Sequence, residues 1–327
     1  MKSRIIHAPV RVDLAGGTLD IWPLSTIIPE AVTLNCTLNV GITVKIEQIS
    51  GPCALVNADT GTTGQVNSTH PDLKLAAGAL QFFGKEAAEG LKVTMKSAVP
   101  RGSGLGTSSV LLATLLSGIS IELGKPMEAR EIVRVAADIE ARLIDCPTGV
   151  QDYIAPLFGG MNAIRFPAGG LDIHPIGIPD GLGERMVLIF TGISHFSGIP
   201  NWEMLKGFFD NKNIRSAFYR LAEIANLAVN AAKSGNVDRL ALHMREDYNI
   251  RKSLPVQLLP KTEVLFQFLE SSHLVAGFRM CGAAGGGTVV AIAKEGQKAK
   301  LGQKATEMGY PVLNLTPRNR RIETNVE

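Results

Sequence analysis

The chain has 327 residues, 45% hydrophobic and 19% charged, enough for a substantial core in one large or two ordinary domains. Thirty-three Lys and Arg against 30 Asp and Glu leave a net charge of +3, too small and too scattered to indicate a nucleic-acid or anionic-membrane partner. Cys36, Cys53, Cys146 and Cys281 lie far apart and form no Cys-x-x-Cys pair, so reduced thiols are expected rather than a disulfide framework or a zinc site. The N-terminus carries no apolar signal core. The longest apolar stretch, Val110 to Leu123, is too short to span a bilayer and reads as a buried helix. A cytoplasmic protein is expected.

In chain order, Arg4–Leu14 reads as the first strand, with Arg11 inside an otherwise apolar run. An unpaired guanidinium there is costly, so Arg11 needs an acidic partner or an anionic ligand. The strand ends in the pair Gly16-Gly17, followed by Asp20; alone, this is also what a turn with a surface aspartate looks like. Strands follow at Val32–Asn39 and Gly41–Ile49, a helix at Leu73–Phe83 and a strand at Leu91–Ala98.

Pro100 to Ser109 is the most informative stretch. Gly102, Gly104 and Gly106 lie between that strand and a helix expected over Ser108–Leu123. Glycines let the backbone approach a ligand, and a helix start presents unpaired N–H groups and partial positive charge. With the hydroxyls of Thr107, Ser108 and Ser109, this describes a nucleotide phosphate loop carrying a magnesium ion. No lysine lies between Pro100 and Gly124, which excludes a P-loop, and Gly-x-Gly-x-Gly is not the dinucleotide fingerprint. Alone, such a turn also serves as structural punctuation.

Met127–Ile144 reads as an amphipathic helix containing Glu140, which by position alone is a solvated residue. Pro147 to Gly160 contains Gln151-Asp152-Tyr153, where Asp152 reads equally as a helix cap. Gly159–Phe166 returns to strand. The Gly- and Pro-rich run Pro167–Gly183 is the candidate junction between domains 1–178 and 179–327. A strand at Met186–Thr191, a helical block from Trp202 to Arg251, a helix at Thr262–Ser272, strands at Val275–Cys281 and Thr288–Ala293, and a closing helix and strand complete the chain. Cys281 to Thr288, with Gly282, Gly285, Gly286 and Gly287, reads by itself as a bulge at a strand start.

Four of these segments resemble, in order and spacing, the motifs of the GHMP kinases, the superfamily of galactokinase, homoserine kinase, mevalonate kinase and phosphomevalonate kinase. Pro100 to Ser109 is similar to Pro-x-x-x-Gly-Leu-Gly-Ser-Ser-Ala, with Thr107 and Ser109 as departures. Arg11 to Asp20 resembles the sugar-kinase form of the first motif, and Thr33 to Thr37 a run of bacterial heptose and fucose kinases. Glu140 and Gly149 to Gly160 resemble a third segment, with Tyr153 where glutamine is usual. Cys281 to Thr288 resembles Gly-Ala-Gly-Gly-Gly-Gly, with Ala284 for one glycine.

The resemblance implies an α+β, two-layer GHMP kinase fold, with a ribosomal-protein-S5-like N-terminal domain and a helix-rich, ferredoxin-like C-terminal domain. It implies ATP bound by Gly102, Ser103, Gly104, Leu105, Gly106, Thr107, Ser108 and Ser109, and Mg2+ held by Ser108 and Glu140. Asp152 would accept or orient the acceptor hydroxyl proton, beside Arg11. Asp20, Gly16, Gly17, Gly285 and Gly286 would bind the acceptor. The nearest resemblance is to heptose 7-phosphate kinases acting on the anomeric hydroxyl, then to fucokinase- and galactokinase-like enzymes. A catalytically silent sugar- and ATP-binding paralogue is the other class, and a homodimer is left open.

Overall fold

The computed structural model describes residues 3–84, 86, 89–193, 198–254, 260–282 and 286–326. The first half runs β1 (Ser3–Ala15), α1 (Leu24–Ile27), β2 (Val32–Gln48), β3 (Ala54–Asn57), β4 (Thr63–Gly64), α2 (Lys74–Phe83), β5 (Leu91–Ser97), α3 (Thr107–Glu122), α4 (Ala129–Ile144), α5 (Gln151–Phe158), β6 (Met161–Arg165) and β7 (Asp172–Ile176). Their sheet is mostly antiparallel, ordered β1-β2-β5-β3-β4, with β6 paired to the start of β2 and β7 to β6.

The two strands expected at Val32–Asn39 and Gly41–Ile49 form one strand, β2. What the sequence presents as a break is a shift of register: Pro9 faces Gly41, but Arg11 faces Thr37. Such an irregularity locally disrupts the ladder and re-aims the backbone. Here the Arg11 N–H bonds the carbonyl of Leu105, 3.2 Å away.

Helix α3 is apolar on nearly every side, the pattern of a helix buried all round. Its Leu112, Leu115, Leu116 and Ile119 pack with Ile6, Val44, Ile46 and Val93 of the sheet and with Ile132, Val133 and Ala136 of α4. This core fixes where the N-terminus of α3 points.

The second half contains α6 (Leu182–Arg185), β8 (Met186–Phe190), α7 (Gly198–Asp210), α8 (Lys212–Lys233), α9 (Val237–Arg251), α10 (Pro260–Ser271), β9 (Val275–Met280), β10 (Thr288–Ala293), α11 (Lys298–Glu307) and β11 (Val312–Leu313). The helical block is three helices. Asn211 caps α8 by accepting from the N–H groups of Asn213 and Ile214, and Asn236 caps α9 by accepting from Arg239. The second sheet is antiparallel, ordered β11-β8-β10-β9. Phe218, Leu221, Ala225 and Val229 of α8 share one core with Val12, Leu14 and Leu34 of the first sheet.

The tail then returns to the first sheet, where β12 (Glu323–Val326) pairs with β1 through Arg4 and Val326. Thr37 ties it down on the way, its hydroxyl donating to the Arg318 carbonyl at 2.5 Å. The fold is α+β, as the resemblance implied. Among the described residues, no helix is long and apolar enough to cross a membrane.

Candidate active site

Gly102, Gly104 and Gly106 all adopt left-handed backbone, with φ of 68°, 72° and 75°. Gly106 is the N-cap of α3, so the first N–H groups of that helix face the loop without intrahelical partners. A Cβ on Gly106 would lie 3.2 Å from Asp152 Oδ2 and 3.3 Å from Arg11 Cζ. Only glycine lets the loop come this close. Ser103 is fully buried and Leu105 belongs to the core.

Arg11 is 2% exposed, and its expected acidic partner is Asp152. Nε donates to Oδ1 at 2.6 Å, Nη2 to Oδ2 at 2.7 Å, and Nη1 to the Gly104 carbonyl at 2.9 Å. Burial alone would pull the guanidinium pKa down, but the charge and hydrogen bonds of Asp152 outweigh it and push it up. Arg11 is permanently charged, while the Asp152 side chain stays 21% exposed at the mouth of the loop.

Glu140 is not a solvated helix residue: it is 6% exposed. Ser108 Oγ donates to its Oε1 at 2.8 Å, Ser109 Oγ to its Oε2 at 2.7 Å, and the Tyr153 hydroxyl also to Oε2. Burial raises the Glu140 pKa, and these three hydrogen bonds oppose the shift. Tyr153, which stands where the motif has glutamine, is fully buried under Glu140. Sequence reading missed this contact because a tyrosine beside Asp152 carries no sign of which way its ring turns.

Asp20 is likewise buried, at 3% exposure, rather than a surface aspartate. Its Oδ2 accepts the N–H of Gln151 at 3.0 Å, one residue before Asp152. Burial pushes its carboxyl up to about 6, against the pull of that N–H. Gly16 and Gly17 form the turn before it. A Cβ would meet the Val32 carbonyl oxygen at 2.0 Å from Gly16, and Asp13 Oδ2 at 2.0 Å from Gly17.

The fourth glycine segment packs on the first loop. A Cβ on Gly104 would lie 2.9 Å from the Cys281 carbonyl oxygen, and one on Gly287 2.9 Å from that of Ser103. Gly286 is buried against Ile193. Gly285 and Ala284 lie outside the described residues.

Beneath the Gly16–Asp20 turn lies a buried ionic group that the sequence reading did not assign, formed by Asp13, Asp247, Arg251 and Arg279. Arg279 carried the same signal as Arg11, a lone arginine in an apolar strand.

Residues 74–160 match the family model for the GHMP kinases N terminal domain, and residues 227–310 the model for the GHMP kinases C terminal; together they cover about half of the chain. A bifunctional fucokinase/GDP-fucose pyrophosphorylase from Arabidopsis thaliana is 27% identical over 90% of this chain and 30% of its own length. An L-fucokinase/L-fucose-1-P guanylyltransferase from Bacteroides fragilis is 25% identical over 97% of the chain and 37% of its own length, so the chain spans about a third of these curated relatives. A D-glycero-alpha-D-manno-heptose 7-phosphate kinase from Campylobacter jejuni is 29% identical over 59% of the chain and 61% of its own length. Among solved structures, a D-glycero-D-manno-heptose 1-phosphate kinase from Bacteroides thetaiotaomicron superimposes with a TM-score of 0.79 at 21% identity, covering 99% of this chain and 98% of that one. Matched by these models in both its halves, the chain belongs to the GHMP kinase family.

Proposed function

We propose that this chain transfers the γ-phosphoryl group of ATP to a sugar hydroxyl. The observation that carries the reading is the Arg11–Asp152 fork standing against Gly106 at the start of α3. A loose phosphoryl-transfer transition state asks the protein mainly for positioning and charge neutralisation. The N–H groups of the Gly102–Ser109 loop supply donors for the phosphates, except that of Ser103, which is held by the Pro100 carbonyl. Asp152 orients the acceptor hydroxyl or takes its proton, and Arg11 fixes that carboxylate in place and supplies positive charge beside the transferring group. Gly16, Gly17 and Asp20 form the acceptor side, with Gly286 beside them; Gly285 is assigned there by the motif alone.

Ser108 and Glu140 are the residues that would hold Mg2+. Their oxygens lie 2.8 Å apart, a pair of hard donors that suits this ion, and Glu140 is braced from behind by Ser109 and Tyr153. When bound, the ion neutralises charge on the β- and γ-phosphates.

The first candidate acceptor is the anomeric hydroxyl of a heptose 7-phosphate; L-fucose and galactose come next. Similarity to heptose, fucose and galactose kinases supports a sugar as substrate class. ADP release should be measured with these three sugars and with mevalonate and homoserine. Turnover of one sugar is expected. Consumption of only mevalonate or homoserine would overturn the sugar assignment.

A further inference from the structure

The turn that carries Asp20 is held by the other half of the chain. Gly16 and Thr18 both adopt left-handed backbone, with φ of 75° and 81°. For a β-branched threonine this is a strained conformation, and it persists only where the surroundings over-determine it. Those surroundings are the C-terminal turn of α9. Arg251 Nη2 donates to the Gly17 carbonyl at 2.5 Å, and Nη1 to Thr18 Oγ1 at 3.5 Å. Its Nε donates to Asp247 Oδ1 at 2.7 Å. The backbone N–H of Gly16 also faces Asp247 and helps hold its carboxyl low.

Behind them, Arg279 of β9 reaches Asp13 Oδ2 at 2.9 Å and Asp247 Oδ1 at 3.6 Å. Arg251 is 7% exposed, and Asp13, Asp247 and Arg279 are fully buried. Burial would raise the Asp247 carboxyl, but the two arginines outweigh it and hold it low.

Buried ion pairs are poor sources of net stability, because desolvation consumes most of the Coulomb energy. This group is also incompletely satisfied: among the described residues, Asp13 Oδ1, Asp247 Oδ2 and Arg279 Nη1 have no hydrogen-bond partner. What four directional charged groups provide that an apolar cluster would not is one fixed geometry for the atoms they grip.

That geometry is relayed onward. The gripped turn ends at Asp20, Asp20 accepts the Gln151 N–H, and Asp152 follows immediately on α5. Among the described residues, the hydrogen bonds of Arg251 run to Gly17, Thr18 and Asp247, and none runs to the phosphate loop.

We infer that Arg251, braced by Asp247, is a positioning residue for the acceptor, fixing the Gly16–Asp20 turn from the second half of the chain. This rests on the acceptor-side role of Asp20 proposed above. Its signature is a split between the two Michaelis constants.

The test is steady-state kinetics of Arg251→Lys and Asp247→Asn, with the acceptor and ATP varied in turn. The acceptor is whichever of heptose 7-phosphate, L-fucose and galactose the wild type consumes fastest. Lysine keeps the charge but loses the fork, and asparagine keeps the volume but loses the charge. In Arg251→Lys the acceptor KM should rise about tenfold or more while the ATP KM stays within about twofold; Asp247→Asn should move the same way by less. Equal rises in both constants would overturn the inference. So would unchanged constants with a lowered Tm, or loss of fold in both variants, each of which describes a purely structural bracket. A wild type that consumes no sugar defeats the sugar reading alone. The same variants are then read with mevalonate or homoserine, and the bracket is judged on that acceptor.

Discussion

Arg11 grips both carboxylate oxygens of Asp152, at 2.6 and 2.7 Å, although 141 positions separate them in the chain. A two-point fork fixes the plane of the carboxylate as well as its distance, which one ammonium group would not do. The partner demanded by a buried guanidinium is thus the group proposed to meet the acceptor.

Asp152→Asn removes the charge from this fork and barely changes volume. Turnover should fall about 100-fold or more, the range for losing a positioned acid–base group, while ATP affinity stays within a few-fold. Single-turnover kinetics and nucleotide titration together check this. Near-normal turnover would remove Asp152 from the chemistry.

Gly106→Ala tests the close approach independently. The added methyl would stand 3.2 Å from Asp152 Oδ2 on a residue with φ of 75°. The left-handed backbone should cost roughly 1–2 kcal/mol. Displacement of the fork should cost about 100-fold in kcat, since small misplacements of reacting groups are expensive. The measurement is kcat beside the unfolding midpoint; a lowered Tm with full activity would show that the approach has no bearing on catalysis.

Tyr153→Phe deletes one of the three donors to Glu140. A hydrogen bond to a charged buried group contributes about 1.5–3 kcal/mol, and stability should fall by that order. The lost bond is one that opposes the burial-raised pKa of Glu140, so that pKa should climb further. If Glu140 must be ionised for activity, the acidic limb of the kcat/KM profile moves to higher pH. An unmoved limb would separate Glu140 from the rate.

Asp20 sets a pH dependence whose sign is unusual for a carboxylate. Burial pushes it up to about 6, above the roughly 4 of an unfolded chain, so the folded state holds the proton more tightly. The stability it contributes is complete below about pH 4 and is lost as pH rises through 6. Stability of the wild type relative to Asp20→Asn should therefore drop by about 2–3 kcal/mol between pH 4 and 8. Urea unfolding of both proteins across that range decides it. A flat difference would mean that burial does not perturb this carboxyl.

Asp20→Ala addresses the role of the same residue in binding. The acceptor KM should rise roughly ten- to a hundredfold with the ATP KM little changed, as expected where charged hydrogen bonds to an acceptor are lost. An effect on ATP alone would put Asp20 outside the acceptor side.

The resemblance of four motifs to the GHMP kinases implied the α+β fold class, and the sequence by itself determined the early strands, the helix that follows the glycine loop, and the pairing demand of Arg11. These follow from local rules: alternation, the glycine-rich entry to a helix start, and the cost of a lone charge in an apolar strand. Only tertiary structure decided that Gly41 marks a register shift and not a strand end, because register depends on the partner strand. It also decided that Glu140 and Asp20 are buried. Their neighbours, Tyr153 and Ser109 for one and Gln151 for the other, are brought to them by packing between separate elements. The grip of Arg251 on Gly17 spans 234 positions, and nothing in an amphipathic helix ending in arginine announces which carbonyl will lie beneath it. Burial and long-range partners are properties of the closed core. They come into being only when the two sheets and α8 and α9 close around the Gly16–Asp20 turn.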